Sequence, residues 1–539
     1  MVIELNGFTL QFPTLGKNPS HIEPAIEPAG GDSPDRHASY FYSRPVIRNW
    51  SGTHVVTPER FTQPNSLADL EALVSAAHSA GRGLRPVGTA LSPNGLPFNR
   101  AGMVSLARMN RVLSIDPTMK LVRAQAGASV ADVSAALRPF GLCLPVSPSI
   151  KSMSLGGYLQ SGVHGTGARL PPADAAARSI TIVTPGRGTL RLGRGGTPDD
   201  PDGSLFRLAN VGLGALGVVA EVTIECDRVR WLVESVRVMS RQDAMTAQAE
   251  LLATKRHVRF MWIPYTDTVV VVTHEDAAPG TNSEPSRTAA PAESISHFER
   301  LIPAALAIRG KSTEIQLDPK TPSPTLLRQW LLSAAPIDAK WVERVNSAEA
   351  AYWSSAVGSR AGWSDELLGF DCGGSQWVAE VAFPAGTVES PAPANTRFMT
   401  ELLDAIESRG LPAPAPIEQR WTCGSPSAMS PVSGGPGDLF SWVGIVMYMP
   451  DSNSPTSVAE VGDAFHTYAS MMTQELATNY NAAEHWAKIE LKRFNLHTKR
   501  RDLERQFPVA EWQTARAALD PKNLLSNGLL NDLFPHPIA

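Results

Sequence analysis

The sequence predicts a two-domain α+β protein. Three observations carry that expectation. Short helical patterns mixed with many short strands run to about Cys226, longer β-branched strands alternate with helices from Arg228 onward, and two glycine-containing loops fall in the first region. A chain of 539 residues has length for two to four domains and for an ample core.

The elements follow in order. Residues 1–48 are rich in Pro, Gly and charge and read as an N-terminal arm, with a possible strand at Phe8 to Phe12. Leu67, Leu70, Leu73 and Val74 make one apolar helix face, with Ser66 as its N-cap and Gly81 as its stop. Arg85 to Pro93 reads as a buried strand running into a tight turn. Met103 to Leu106 and Arg123 to Ala126 read as short strands, and Val130 to Phe140 as a helix capped by Ser129. Ser179 to Thr184 and Thr189 to Leu192 form a hairpin across Gly186-Arg187-Gly188, and Val218 to Glu225 is a further strand. In the second region, strands are expected at Thr268 to Thr273, Trp377 to Phe383, Ile417 to Thr422 and Trp442 to Met449. Ala277 to Ala292 reads as an exposed loop, Ala464 to Leu476 as helix, and Arg500 to Leu519 as one amphipathic charged stretch.

Composition excludes several classes. Hydrophobic residues at 43% and charged residues at 19% describe an ordinary globular protein. A net charge of −4 argues against a nucleic-acid partner and permits a basic protein partner. The 4 cysteines lie far apart with no CxxC, so neither a metal site nor a disulfide framework is expected. No apolar run approaches the ~18 residues of a spanning helix, and Leu439 to Met449 reads as a buried strand. The N-terminus lacks the pattern of a signal or transit peptide.

The stretch from Pro148 to Pro172 is the most telling. Gly156, Gly157, Gly162, Gly165 and Gly167 crowd into it, and ordering five glycines costs roughly 3–5 kcal/mol relative to alanine. A fold tolerates that where backbone must approach a phosphate group closely. Gln160, His164, Thr166 and Arg169 are not linker residues, so the expectation is a diphosphate-bearing cofactor on this loop. Gly212-Leu213-Gly214-Ala215-Leu216-Gly217 matches GxGxxG letter for letter. A dinucleotide fingerprint must follow a strand and open a helix, whereas here a helix precedes and a strand follows. A tight turn beside the cofactor is the better reading.

These pieces together resemble a known family. Val87-Gly88-Thr89-Ala90-Leu91-Ser92, Gly156-Gly157, His164-Gly165-Thr166-Gly167 and Gly217-Val218-Val219-Ala220-Glu221 resemble the FAD-binding domain of vanillyl-alcohol-oxidase-type flavoproteins. Asn49-Trp50-Ser51-Gly52-Thr53-His54, Pro264 to Thr268, Gly369 to Gly374, Pro416 to Trp421 and Glu484 to Lys488 resemble the aldonolactone oxidoreductase group, the L-galactono-1,4-lactone dehydrogenases among them. The resemblance implies an FAD-binding domain over 49–227, an α/β cap covering substrate over 228–480, and a segment over 481–539 that returns to the flavin. It places Val87, Gly88, Thr89, Ala90, Leu91, Ser92, Ser149, Gly156, Gly157, Gln160, Gly162, His164, Gly165, Thr166, Gly167 and Val219 at the cofactor. Leu91 stands where many relatives carry the histidine that bonds covalently to flavin, so FAD is expected to be non-covalent. Ala90 stands where relatives usually have glycine.

Glu418 and Arg420 can be argued from residue pattern as well. Alternate strand residues share a face, so both point one way and Gln419 the other. On residues alone, a structural ion pair is the simpler reading. The resemblance implies instead that Arg420 anchors a lactone and stabilises negative charge, while Glu418 holds its hydroxyls. It brings Lys488 and His485 to the flavin, although Lys488 also reads as an exposed helix lysine. Cys372 is a redox-sensitive thiol by resemblance and a simple buried cysteine otherwise.

The activity the resemblance implies is oxidation of L-galactono-1,4-lactone to L-ascorbate, with cytochrome c as electron acceptor and a mitochondrial location on the intermembrane-space side of the inner membrane. Pro148 departs from the pattern. Lactone dehydrogenases carry an alanine there that shields flavin from oxygen, and the oxidases tend to carry glycine or proline. That residue favours an aldonolactone oxidase releasing hydrogen peroxide. A non-catalytic role in respiratory complex assembly is a further alternative.

Overall fold

Local signals position the first helix. In the computed structural model, which describes residues 2–5, 8–11, 44–277, 292–310, 324–369, 373–451 and 454–536, helix Leu67–Ala80 starts where Ser66 accepts from the backbone N–H of Asp69. It stops where Gly81 turns left-handed at φ 60°. Ser129 caps helix Val130–Leu137 in the same way. The N-terminal hairpin pairs Val2–Leu5 with Phe8–Gln11.

Two sheets carry most of the chain's first region. A small parallel one orders Phe61–Thr62, Met103–Ser105 and Arg85–Val87. A five-stranded antiparallel one runs Gly188–Gly193, Ala177–Thr184, Val218–Glu225, Leu121–Gln125, Val112–Asp116. The GxGxxG stretch lies between helix Ser204–Ala209 and strand Val218–Glu225, so its order of elements is the reverse of a dinucleotide turn.

The second region is built on an eight-stranded antiparallel sheet, ordered Gly358–Trp363, Trp231–Met239, Thr268–Asp276, His257–Ile263, Ile417–Cys423, Leu439–Tyr448, Gln376–Pro384, Ala483–Glu484. One face packs on helices Arg241–Thr254, Ala394–Arg409 and Val458–Ser470 through Phe260, Trp262, Trp421 and Phe398. The other face packs in part on helix Ala339–Ser355, with Val236, Met261, Val270 and Val272 against Ala350 and Trp353, and in part lines a cavity shared with the first region.

The C-terminal residues join the first core rather than the second. Trp486, Phe507, Trp512, Leu530 and Phe534 pack with Leu70, Tyr158 and Val222. Arg85, fully desolvated, ties this return in place by donating to the carbonyls of Leu96 (3.1 Å), Leu213 (2.7 Å) and Leu525 (2.8 Å).

Three expectations need correction. The glycine loop is not loop throughout, because Leu155–Gln160 is a short helix whose Ser154 N-cap accepts from Gly157. The stretch Arg500 to Leu519 is two helices, Leu496–Gln506 and Val509–Leu519, broken at Pro508, which has no N–H to continue the first. The helix expected over Ala464 to Leu476 begins earlier, at Val458, and its last turn, Met471–Leu476, widens to π geometry. The loop expected over Ala277 to Ala292 and the thiol Cys372 fall largely or wholly outside the described residues.

Candidate active site

A cavity of about 1640 Å³ lies between the glycine loops and the part of the eight-stranded sheet's face that helix Ala339–Ser355 leaves uncovered. Pockets for single small ligands typically span roughly 300–1,000 Å³, so this one has room for a dinucleotide-sized group and a further ligand. Val87 to Ser92 form one wall. Pro148, Ser149, Gly156, Gly157, Gln160, His164, Gly165 and Thr166 form another, and Val219 closes the end.

The sheet face opposite is laid out by register. Glu418 pairs with Gly444, and Gly444 with Glu380; one step along, Arg259 pairs with Arg420, and Arg420 with Trp442. Glu418 and Arg420 both line the cavity. Gln419 points into the opposite core, where it bonds the Trp262 indole, the Asn395 carbonyl and the Ser441 hydroxyl.

Glu380 is the hub of this face. Arg420 Nη2 donates to its Oε1 at 2.7 Å, His164 Nε2 lies 3.3 Å from its Oε2, and Lys488 Nζ bonds the same oxygen. Arg420 also reaches Glu418, with Nε 3.3 Å from Oε2, and Arg259 meets the other Glu418 oxygen at 3.5 Å. Burial pushes the Glu380 carboxyl up, but Lys488 above all, then His164 and Arg420, outweigh it and hold the group well below the usual carboxylate range.

The two histidines stay neutral. His164 is stacked on Trp442, ring centroids 3.7 Å apart and planes 9° apart. Burial, followed by the Arg420 charge, lowers it to about 4. His485 is buried, its Nδ1 accepts from the Ala487 N–H, and burial and then Lys488 hold it well below its ordinary value. His164, Glu380 and His485 present ligand atoms within 4.8 Å of one another. Arg420 and Lys488 already occupy the carboxylate, and their charge opposes a metal cation there.

The cavity therefore gathers the sequence-predicted residues with three exceptions. Gly162 and Gly167 do not line it. Gly162 is left-handed (φ 76°) against Pro431, and the Gly167 N–H bonds the Trp421 carbonyl at 2.7 Å. Cys372 lies outside the described residues. Thr166 lines the wall, but its hydroxyl is committed to the Val258 carbonyl. Gln160 braces the GxGxxG turn, accepting from Gly214 N at 3.1 Å and donating to the Ala209 carbonyl at 2.7 Å. Sequence reasoning missed Glu380, although a lone carboxylate inside the apolar strand Trp377 to Phe383 was a usable signal.

Whether the walls suit FAD can be tested on their polar atoms. Thr89 Oγ1 and Ser152 Oγ, one from each glycine wall, are buried, line the cavity and have no partner among the described residues. Each such hydroxyl costs about 1–3 kcal/mol unless something in the cavity bonds it. Two unmet hydroxyls in walls rich in glycine backbone suit a phosphate-bearing group.

Comparisons with known proteins agree. Residues 58–193 match the FAD binding domain family, and residues 323–533 match the D-arabinono-1,4-lactone oxidase family. The mitochondrial L-galactono-1,4-lactone dehydrogenase of Brassica oleracea is 42% identical over 503 residues, 91% of this chain and 82% of that one. The mitochondrial L-galactono-1,4-lactone dehydrogenase 1 of Oryza sativa subsp. japonica is 44% identical over 496 residues, 91% of this chain and 84% of its own. The L-gulonolactone oxidase of Bos taurus is 24% identical over 92% of this chain and 99% of its own. In fold, a solvent-stable cholesterol oxidase superposes with a TM-score of 0.71 at 17% identity, covering 93% of this chain and 100% of that one. The architecture is thus of the vanillyl-alcohol-oxidase type, an FAD-binding domain with an α/β cap. FAD is the cofactor, and the chain belongs to the family of the L-galactono-1,4-lactone dehydrogenases.

Proposed function

We propose that this chain oxidises L-galactono-1,4-lactone to L-ascorbate and passes the electrons to cytochrome c. The observation that supports it most is the pairing of Glu418 with Arg420 on one cavity-facing strand, joined across Gly444 to the buried Glu380. In this reading residues 49–227 hold the cofactor, 228–480 cover the substrate, and 481–539 bring His485 and Lys488 to the flavin.

Bound FAD would supply the acceptor, at its N5, for the hydride removed from C2 of the lactone. Arg420 anchors the lactone and stabilises the negative charge that develops as the hydride departs. Glu418 accepts from the substrate hydroxyls and takes the proton released from the C2 hydroxyl. Lys488 would supply positive charge toward the flavin, and His485, neutral and held by the Ala487 N–H, would line the same part of the cavity. Leu91 offers no nucleophile, so the flavin is held non-covalently by Val87 to Ser92, Ser149, Gly156, Gly157, Gln160, His164, Gly165, Thr166 and Val219; acid precipitation should leave it in the supernatant. The relatives' names say mitochondrial; we extend that location to this chain and place it on the intermembrane-space side of the inner membrane, where it would meet cytochrome c.

A second reading, an oxidase that releases hydrogen peroxide, is favoured by Pro148, which lines the cavity where an oxygen-shielding alanine would stand. One experiment addresses both. Anaerobic titration with a panel of lactones should bleach the flavin, L-galactono-1,4-lactone among the most effective, and cytochrome c should reoxidise it in stopped flow. A flavin that no lactone reduces would overturn the reading. Fast reoxidation by oxygen with peroxide formation would replace the dehydrogenase by the oxidase.

A further inference from the structure

Gly444 sits in the middle of strand Leu439–Tyr448, flanked by Val443 and Ile445. Glycine weakens a strand interior, and none of the usual backbone reasons explains it here. It is absent from the glycines with left-handed backbone. Its pairing is unbroken on both sides, to Glu418 and to Glu380, so there is no bulge. A Cβ built on it would meet Glu380 first, with Oε1 at 3.5 Å, Cδ at 3.8 Å and Cγ at 3.8 Å, all ordinary van der Waals distances. The protein could carry a side chain there. What lies above Gly444 is the cavity.

The surroundings define a slot. Glu418 and Glu380 flank Gly444 on adjacent strands, their backbones about 10 Å apart at two strand spacings. Along the strand, Trp442 and Val446 lie on the same side as Gly444, ~13 Å apart; Val446 lines the cavity, and Trp442 is buried beneath the His164 ring, which lines it. Arg420 bonds both flanking carboxylates and so stands at the edge of the slot.

We propose that Gly444 is the specificity-determining floor of the substrate position. A flat five-membered lactone ring lies against the bare backbone at Gly444, its hydroxyls directed to the Glu418 carboxylate on one side and its other edge against the Glu380–Arg420 ion pair. A side chain at 444 occupies the volume of the ring itself, while leaving the cofactor walls, which belong to other elements, unaltered. This inference rests on the reading of the cavity as a lactone site.

The test uses the FAD-loaded full chain and its Gly444→Ala and Gly444→Val variants. Flavin content and melting temperature should match or exceed the parent's. The lactone Kd, read from anaerobic flavin bleaching, should rise roughly tenfold or more in Gly444→Ala, with KM rising more than kcat falls. Gly444→Val should lose lactone binding. A four-carbon lactone, which keeps the ring and lacks the exocyclic side chain, should lose affinity to a similar extent as L-galactono-1,4-lactone. Unaltered lactone affinity in both variants overturns the inference alone, and so does loss of flavin from Gly444→Ala, which would make the glycine structural. A parent enzyme that no lactone reduces overturns the underlying reading as well, so the two failures are distinguishable.

Discussion

Arg420 Nη2 lies 2.7 Å from Glu380 Oε1, and the Glu380 side chain is 2% exposed. This carboxylate, contributed by the strand two places along the sheet from Arg420, bridges two cations, Arg420 and Lys488, that would otherwise repel each other in the cavity. Removing one partner of a buried pair leaves uncompensated charge and costs about 3–5 kcal/mol. Glu380→Gln keeps the shape and removes the charge. It should lower stability by roughly 3 kcal/mol in a denaturant melt, and an unchanged melt would mean that the cavity solvates Arg420 and Lys488 adequately.

Arg420→Ala separates substrate chemistry from cofactor binding. Arg420 belongs to the cap sheet, and its link to the glycine walls runs through His164, 3.5 Å away. Turnover should fall by about 10²–10³ while flavin content stays at the parent level. Steady-state kinetics and the flavin-to-protein absorbance ratio check it, and unchanged kinetics would remove Arg420 from the mechanism.

Glu490 should make stability fall with alkalinity. Burial pushes its carboxyl up to about 7, against the charges of Arg493 and Lys492, and its Oε1 lies 3.6 Å from His54 Nε2. A carboxyl raised on folding stabilises the folded state below its ordinary value of 4.5, and that contribution is lost as pH rises through 7. Glu490→Gln should therefore melt like the parent near pH 4.5 and be more stable by on the order of 2–3 kcal/mol at pH 8. Parallel melting curves across that range would contradict the assignment.

Ala90 takes a left-handed conformation, φ 52°, with its carbonyl accepting from Trp50 N at 2.9 Å. A Cβ in that region costs about 1–2 kcal/mol, and glycine's larger unfolded-state entropy offsets part of the relief. Ala90→Gly should raise stability by roughly 0.5–1 kcal/mol, measured as a higher Tm of the FAD-loaded protein. A lower Tm would show that the turn depends on the methyl group.

Much of this was legible in the sequence because it is local. Ser66 and Gly81 bound a helix through contacts within four residues, and the alternation of Glu418, Gln419 and Arg420 sends charge to one face of any strand. The reversed order of elements around Gly212 to Gly217 was likewise readable, since it depends on neighbours in the chain. Glycine density, by contrast, located the cofactor wall without sorting its members. Gly157 faces the cavity, while Gly162 and Gly167 serve contacts to Pro431 and Trp421 that arrive from the cap.

The sequence by itself determined the elements, their faces and the family pattern, because periodicity, capping and motif spacing act over a few residues. The tertiary structure alone decided that Glu380 is the hub. Its partners Arg420, Lys488 and His164 lie 40, 108 and 216 residues away along the chain, and a strand's own pattern carries no record of which strands become its neighbours. The same holds for Gly444, an unremarkable glycine in sequence. Strand register sets it between two carboxylates and beneath the cavity, and that placement is what makes its missing side chain meaningful.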